Sequence, residues 1–399
     1  MATDAPSHRA PRLTAALRED ERVTPLELFF DLVFVLAITQ CTALMAHDPT
    51  WEGLAQGMLV LGMLWWAWVG YAWLTSVVDP EEGSVRLAIF VAMAGLLVCA
   101  LSVPGAFGES AVEFACAYVV VRAAHLVLFG VASRDDPSLR RAVITGLVGS
   151  TAVSGGLLIA ASFTDGALQG GLWAAALILD MSGPLFFGTD GWKIVPGHFA
   201  ERHGLILLIA LGESIVAIGV GAEHVVDAGV IVAAAIGTAV AASLWWLYFD
   251  VVAIVAARRL ARAAVGREQN AMARDSYSYL HFPMVAGIVL VALGMKKTLA
   301  HVEDPLKLVP AFALLGGTAI YLLSHVAFRY RHIRTLNTRR LGCAVLLFAL
   351  IAAGVELPAL ATLGILAAVL VVLIVVETRS YGDSRARVRH DLAREPTPD

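Results

Sequence analysis

The sequence contains little charge. Only 16% of its 399 residues are Asp, Glu, Lys or Arg, whereas a soluble domain typically carries about 25%. Hydrophobic residues make up 58% of the chain, and the mean hydropathy is +0.75. An ordinary soluble domain is therefore excluded. Because the net charge of −4 is nearly balanced, we expect no nucleic-acid partner.

Cysteine is scarce, and recognisable catalytic motifs are missing. The four cysteines all fall in apolar runs, without a C-x-x-C pair or a metal-ligand spacing. The sequence has no phosphate-binding glycine loop, no H-E-x-x-H and no Ser/His/Asp arrangement with useful spacing. We therefore expect no metal, no cofactor and no enzymatic activity.

Long apolar segments are what the sequence has instead. Crossing a bilayer takes about 20 apolar residues, and short loops leave no room for a soluble domain between these segments. The predicted fold is all-α, a polytopic membrane protein with about 12 transmembrane helices. The predicted spans are residues 24–47, 53–78, 84–104, 110–132, 139–163, 167–187, 203–223, 227–256, 276–297, 306–328, 340–355 and 358–378.

Lys and Arg are distributed unevenly about these spans. With the N-terminus inside, the cytoplasmic segments hold 25 of the 29 Lys and Arg residues, the opposite side holds 3, and Arg122 lies within a span. Positive residues concentrate in cytoplasmic loops. We predict a multi-pass protein of the cell inner (plasma) membrane with both termini in the cytoplasm. Its expected partners are the lipid bilayer and an ion or small solute, and the sequence indicates no oligomeric state.

Polar and tryptophan landmarks recur in the same order in both halves. The matched pairs are Asp31 and Glu213, Trp65-Trp66 and Trp245-Trp246, His125 and His325, and Asp180 and Glu377. Six helices per half would insert both halves with the same orientation, which predicts two parallel repeats. The expected organisation is a polar cytoplasmic N-terminal segment 1–23, repeat 1 over 24–187, a cytoplasmic linker 188–202, repeat 2 over 203–378 and a basic, polar cytoplasmic tail 379–399.

Nine ionisable side chains inside the predicted spans are candidates for an ion or solute pathway. Such groups are costly in lipid and usually face the protein interior. Residues spaced three or four apart share one helix face, as in the first two pairs of this set. The candidates are Glu27 and Asp31, Arg122 and His125, Asp180, Glu213, Asp250, His281 and His325.

The positions of these side chains along the spans predict an arrangement. Almost nothing ionisable lies in the outer half, which indicates a polar cytoplasmic vestibule beneath an apolar seal. Asp31 and Glu213 are expected at equivalent places on the leading helices of the two repeats. We also expect Arg122 to contact Glu27 or Asp31, since an unpaired Arg at that depth would be costly.

Two stretches resemble a known family. The run T-P-L-E-L-F-F-D-L-V-F-V-L-A-I at 24–38 resembles the opening signature of the bacterial low temperature requirement A family. The runs E-R-H-G-L at 201–205 and L-G-E-S-I-V-A-I at 211–218 resemble its second signature. The resemblance covers nearly the whole chain. It implies a multi-pass bacterial membrane protein linked by name to growth in the cold, and no settled molecular activity.

A second likeness concerns the first span. The F-F-D at 29–31 is similar to the F-S-D first-helix motif of bacterial and endolysosomal potassium channels built from six-helix repeats, with Phe30 where that motif has Ser. In those channels the first helix of each repeat lines the pore. We therefore expect a transporter or channel for an ion or small solute, with proton coupling as one mode. The alternative is a membrane scaffold or lipid-modifying accessory protein whose buried charges are structural.

The charge asymmetry makes the topology testable. Reporter fusions within 134–138, within 262–272 and at the C-terminus should read cytoplasmic, because the basic residues cluster there. Fusions within 105–109 and 301–304 should read external. An external C-terminus would mean an odd number of spans and would contradict both the topology and the two-repeat arrangement.

Overall fold

A computed structural model describes residues 22–81, 83–221 and 227–394. Most of the predicted N-terminal segment 1–23 and the last five residues of the tail lie outside these ranges. Within them the chain folds into twelve helices: α1 (Pro25–His47), α2 (Trp51–Thr75), α3 (Gly83–Gly105), α4 (Ala111–Ala132), α5 (Pro137–Ala161), α6 (Gly166–Phe186), α7 (Pro196–Gly221), α8 (Ala228–Arg262), α9 (Arg267–Ala300), α10 (Leu308–Ile333), α11 (Thr338–Gly354) and α12 (Ala359–Arg394).

The chain is a multi-pass membrane protein. Among the described residues, ten helices are long and apolar enough to cross a bilayer. The other two are α6, which carries Gln169, Asp180 and an internal proline, and α11, which has 17 residues. Large apolar side chains also cover the outer surfaces of the helices. Leu32, Val127, Ile178 and Val345 are each at least 60% exposed, as expected of residues that face lipid.

The helices match the twelve predicted spans, with four main differences at their ends. Helix α9 begins at Arg267, nine residues before the predicted start at 276. Helix α7 begins at Pro196, seven residues before the predicted start, and so includes much of the expected linker. Helix α8 is interrupted at Asp250 and Val251 and continues as a short amphipathic segment, Val252–Arg262. Helix α12 continues well beyond the predicted end at 378.

The two halves use the same pairs of neighbouring helices. In the first half α1 packs on α2 and α3, α3 on α4, α4 on α5, α5 on α6, and α6 on α2. In the second half α7 packs on α8 and α9, α9 on α10, α10 on α11, α11 on α12, and α12 on α8. This is the pattern that two parallel repeats require. Superposition of one half on the other remains a prediction.

Tryptophans of α2 connect the halves. The Trp65 indole donates to the Ser278 carbonyl of α9, and the Trp73 indole donates to the Ser278 hydroxyl, each at 2.9 Å. Trp65, Trp66 and Trp68 are buried. The tryptophan run of the sequence is therefore part of the protein interior, and α2 is among the most enclosed of the described helices.

Helices α9 and α10 approach each other through glycines. A Cβ atom added at Gly294 would lie 2.7 Å from the Leu314 backbone, and one at Gly287 would lie 2.7 Å from the Gly317 carbonyl oxygen. Small residues permit such close packing in membranes. The crossing of α9 and α10 therefore depends on these glycines.

Substitution of Gly294 tests this crossing. Gly294→Ala should lower the thermal stability of the purified protein in detergent, since overpacking costs about 1–3 kcal/mol. The matched control is Gly212→Ala, where an added Cβ meets nothing within 4 Å. Both variants gain the same helix propensity, so their difference reports packing alone. Equal melting temperatures would show that the crossing can relax.

Candidate functional site

The N-terminal ends of α1 and α7 carry a buried charge cluster. Thr24 caps α1, and its backbone N–H donates to Glu27 Oε2 at 2.9 Å. The other carboxylate oxygen, Oε1, lies 2.8 Å from His198 Nε2 and 3.2 Å from Arg202 Nη1. Arg202 Nη2 donates to Asp31 Oδ1 at 3.0 Å. We call Glu27, Asp31, His198 and Arg202 the inner charge cluster.

The cluster follows from a shared pattern on the two helices. Each helix begins with a proline, and Pro196, His198 and Arg202 follow one another at the same spacing as Pro25, Glu27 and Asp31. Residues four apart lie on one helix face, so an acidic pair on α1 meets a basic pair on α7. The contact between these two pairs places α1 and α7 side by side, with their first turns at the same level.

Two members of this cluster were missed by sequence reasoning. The sequence pattern places Arg202 in a cytoplasmic segment, because the apolar run of the seventh span begins only at His203. The available signal was Pro196, since proline is favoured at the first position of a helix. A helix starting there brings His198 and Arg202 onto α7.

The contact predicted for Arg122 is wrong. Arg122 Nη2 donates to Asp180 Oδ1 of α6 and to Thr151 Oγ1 of α5, each at 2.8 Å, and makes no ion pair with Glu27 or Asp31. Arg202 is the residue that pairs with Glu27 and Asp31 instead. Arg122 and Asp180 are 2% and 1% exposed, so this pair joins helices of the first half deep inside the protein.

The second half has its own buried ion pair. Arg340 of α11 donates to both carboxylate oxygens of Glu377 in α12, each at 2.9 Å. Its Nη1 lies 2.9 Å from His325 Nδ1. His281 Nδ1 donates to the Ser276 carbonyl oxygen at 2.9 Å, and its Nε2 lies 2.8 Å from the Tyr248 hydroxyl.

Glu213 lies apart from these groups, between α7 and α1. Its Oε2 accepts a hydrogen bond from Thr39 Oγ1 at 2.5 Å, and the carboxylate is only 3% exposed. The neighbouring Ser214 hydroxyl is fully buried and has no hydrogen-bond partner among the residues that the structure describes. Within the described ranges, Glu213 has no Lys, Arg or His at salt-bridge distance.

Asp31 and Glu213 do not lie at the same depth along their helices, so the expectation that they occupy equivalent places is also wrong. Asp31 is level with Arg202, whereas Glu213 is level with Thr39. Thr39 follows Asp31 by two helical turns, which places the two carboxylates about 12 Å apart along the axis at 1.5 Å per residue. Glu213 therefore stands deeper in the protein than the inner charge cluster.

The nine predicted candidates do not line one open vestibule. The structure brings Glu27 to Asp31, and Arg122 to Asp180 with His125 one turn along α4, while His281 and His325 both face Tyr248. Asp250 lies at the interruption of α8, and Glu213 stands alone between α1 and α7. All nine side chains are buried. Among the described residues, no three His, Cys, Asp or Glu side chains are placed to hold a metal.

Comparisons with known proteins agree with the two sequence signatures. The model of the family described as bacterial low temperature requirement A protein matches residues 22–375 of this chain. A Rhizobium meliloti (strain 1021) protein, whose name calls it uncharacterized, is 28% identical over 306 residues, which cover 74% of each chain. No solved structure matches.

The partner of Arg122 can be tested by rescue. Arg122→Leu should lower yield and thermal stability, because removing one member of a buried pair leaves the other charge uncompensated, at about 3–5 kcal/mol. Adding Asp180→Asn should restore much of the loss. Adding Asp31→Asn should instead reduce stability further, since Arg202 then loses one of its two carboxylates. Rescue by Asp31→Asn alone would contradict the pairing.

Proposed function

The chain belongs to the bacterial low temperature requirement A family, and we propose that it is a transporter or channel that moves an ion or small solute between α1 and α7. The observation that carries the proposal is Glu213, a buried carboxylate that forms no salt bridge with the described residues. A charge in that position is costly unless a proton or a cation neutralises it. Glu213 is therefore the proposed proton- or cation-binding group.

The surroundings of Glu213 suit such a ligand. Thr39 supplies a hydroxyl at 2.5 Å from the carboxylate, and the Ser214 hydroxyl is buried nearby without a hydrogen-bond partner. Carboxylate and hydroxyl oxygens are hard donors, which favour a proton or a hard cation over a soft metal. Small exposed residues, Gly212 and Gly219, flank the site on α7, and an added Cβ at either meets nothing.

The route between Glu213 and the inner charge cluster is closed in this conformation. Phe34 and Ile38 of α1 and Leu207 and Ala210 of α7 lie between the two levels and are at most 1% exposed. A ligand that reaches Glu213 from one side cannot pass this apolar layer without a rearrangement. The arrangement supports a gated transporter over a permanently open channel, and proton coupling is the simplest role for Glu213.

A second function rests on the ion pairs. Arg202, Arg122 and Arg340 each neutralise a buried carboxylate on another helix, as expected if the charges only hold helices together. In that case the chain is a membrane scaffold or a lipid-modifying accessory protein. Glu213 distinguishes the two functions, because it contributes no ion pair between helices of the described chain.

Flux in proteoliposomes tests the proposal. Glu213→Gln should fold as the parent does, because Thr39 can still donate to the amide oxygen, but it should abolish flux or its pH dependence. The screen should cover protons, alkali cations and halides with dyes inside sealed vesicles.

Glu113→Gln is the matched control, since Glu113 is exposed in the first turn of α4, and it should transport as the parent does. A Glu213→Gln variant with parental flux, or a parent without flux for any ion tested, would favour the scaffold function.

A further inference from the structure

A cavity of about 40 Å³ lies between α2, α4, α5 and the start of α9, away from the α1–α7 interface. Trp66 and Trp73 of α2, Phe129 of α4 and Trp192 of the segment between α6 and α7 form much of its wall. A single water needs roughly 10–15 Å³ by the same measure. The cavity therefore has room for about three waters, or for a small organic molecule of similar size.

Unused hydrogen-bonding groups face this cavity. His125 is 1% exposed, and apart from the Gly70 backbone close to its ring, neither ring nitrogen meets a well-aligned hydrogen-bond partner among the described residues. Arg122 uses Nη2 for Asp180 and Thr151, while its Nη1 makes no hydrogen bond within the described chain. A Cβ at Gly70 would lie 3.0 Å from both Arg122 Nη1 and His125 Nε2. Buried polar groups normally have partners, so these two side chains can offer hydrogen bonds to a molecule bound in the cavity.

The net charge of the residues around the cavity indicates the charge of its ligand. Arg274 also lines the cavity, and no Asp or Glu among the described residues does. Asp275 is shared between Arg274 at 2.6 Å and Arg331 at 3.0 Å, so this trio carries one net positive charge. Arg122 is neutralised by Asp180. A single negative charge inside the cavity would therefore balance the local field.

Irregular backbone surrounds the same cavity. Leu147 belongs to the π-helical turn Ile144–Val148 of α5, and Arg274 and Ser278 belong to the π-helical turn Ala273–Tyr279 of α9. Such turns interrupt the regular helix ladder and occur frequently at functional sites. Two of them on one small cavity point to a constructed binding site.

Trp192 lines both the cavity and a neighbouring groove at the protein surface. Its ring contacts Trp73 and Phe129 at centroid distances of 5.7 and 5.3 Å. A surface groove of about 220 Å³ lies on its other side and is lined in part by Arg141 and Ser138. Trp192 and Gly188 line both spaces, so the cavity and the groove adjoin each other at this segment.

The segment that carries Trp192 is attached at two points. Asn270 Nδ2 donates to the Trp192 carbonyl at 2.5 Å, and Lys193 Nζ pairs with Asp136 at 2.5 Å. The Lys193 ammonium holds the pKa of Asp136 below its usual range, so the carboxylate is charged at physiological pH. The Asn270 hydrogen bond and the Lys193–Asp136 ion pair therefore hold Trp192 in its position beside the cavity.

We infer that this cavity binds a small organic anion, a short-chain carboxylate. The carboxylate would accept hydrogen bonds from His125 and Arg122 Nη1, and its apolar body would lie against Trp66, Trp73 and Trp192. Charge-assisted hydrogen bonds to a carboxylate are stronger than bonds between neutral groups. This inference does not depend on the proposed transport function, since binding requires no flux.

Paired ligands test the inference on the unaltered protein. Tryptophan fluorescence of the purified protein is titrated with propionate and with propionamide, its neutral isostere, at constant ionic strength. Propionate should give a saturable change, and propionamide should bind about ten-fold more weakly or worse. Trp192→Phe should reduce the signal. Equal binding of both compounds, or no saturation with propionate, would overturn the inference.

Two histidine variants locate the site. His125→Leu should weaken propionate binding about ten-fold or more. The matched control is His332→Leu, because His332 is also buried with both ring nitrogens unpartnered but does not line the cavity, and it should bind as the parent does. Equal losses in both variants would contradict the assignment. If His125→Leu does not fold, the comparison of propionate with propionamide on the parent protein still tests whether the cavity binds a carboxylate.

Discussion

The rest of the structure depends on the neutralisation of Arg202 by Glu27 and Asp31. A guanidinium that is 1% exposed inside a membrane protein must have carboxylates beside it. Those carboxylates are on α1, so α1 and α7 must lie side by side with their first turns level. Because each helix leads one half of the chain, this contact also sets how the two halves meet. Trp68 from α2 completes the arrangement by donating to Asp31 Oδ1 at 2.8 Å.

The same constraint is satisfied separately within each half. Asp180 on α6 and Glu377 on α12 are the acidic partners, as the matched landmarks of the sequence suggest, but their cations come from different helices. Arg122 belongs to α4, whereas Arg340 belongs to α11. A buried carboxylate requires a cation nearby, but this requirement does not determine which helix supplies the cation. The two halves therefore keep similar packing while their polar interiors differ.

Two buried polar side chains are not paired in this way, and both bear on the proposed functions. Among the described residues, Glu213 has a hydroxyl partner and no salt bridge, and His125 lines a cavity with no side-chain hydrogen-bond partner. They lie in separate places, one between the leading helices and one beneath Trp192. A protein that needed only rigidity would gain from filling both positions with apolar groups, because buried polar groups without partners are destabilising. The carboxylate suits a positive ligand, and the cavity suits a negative one.

The sequence by itself determined the membrane class, the twelve helices and the burial of the nine candidate ionisable residues, though not of His198 and Arg202. Those properties are local, since hydropathy over about 20 residues and the bias of Lys and Arg do not depend on how helices pack. Only the tertiary structure decided that Arg122 pairs with Asp180, that Arg202 joins α1 to α7, and that Glu213 lies level with Thr39. Partner choice depends on the rotation and axial register of each helix against its neighbours. A shift of one turn along α7 moves a side chain by about 5.4 Å, which is enough to exchange one partner for another.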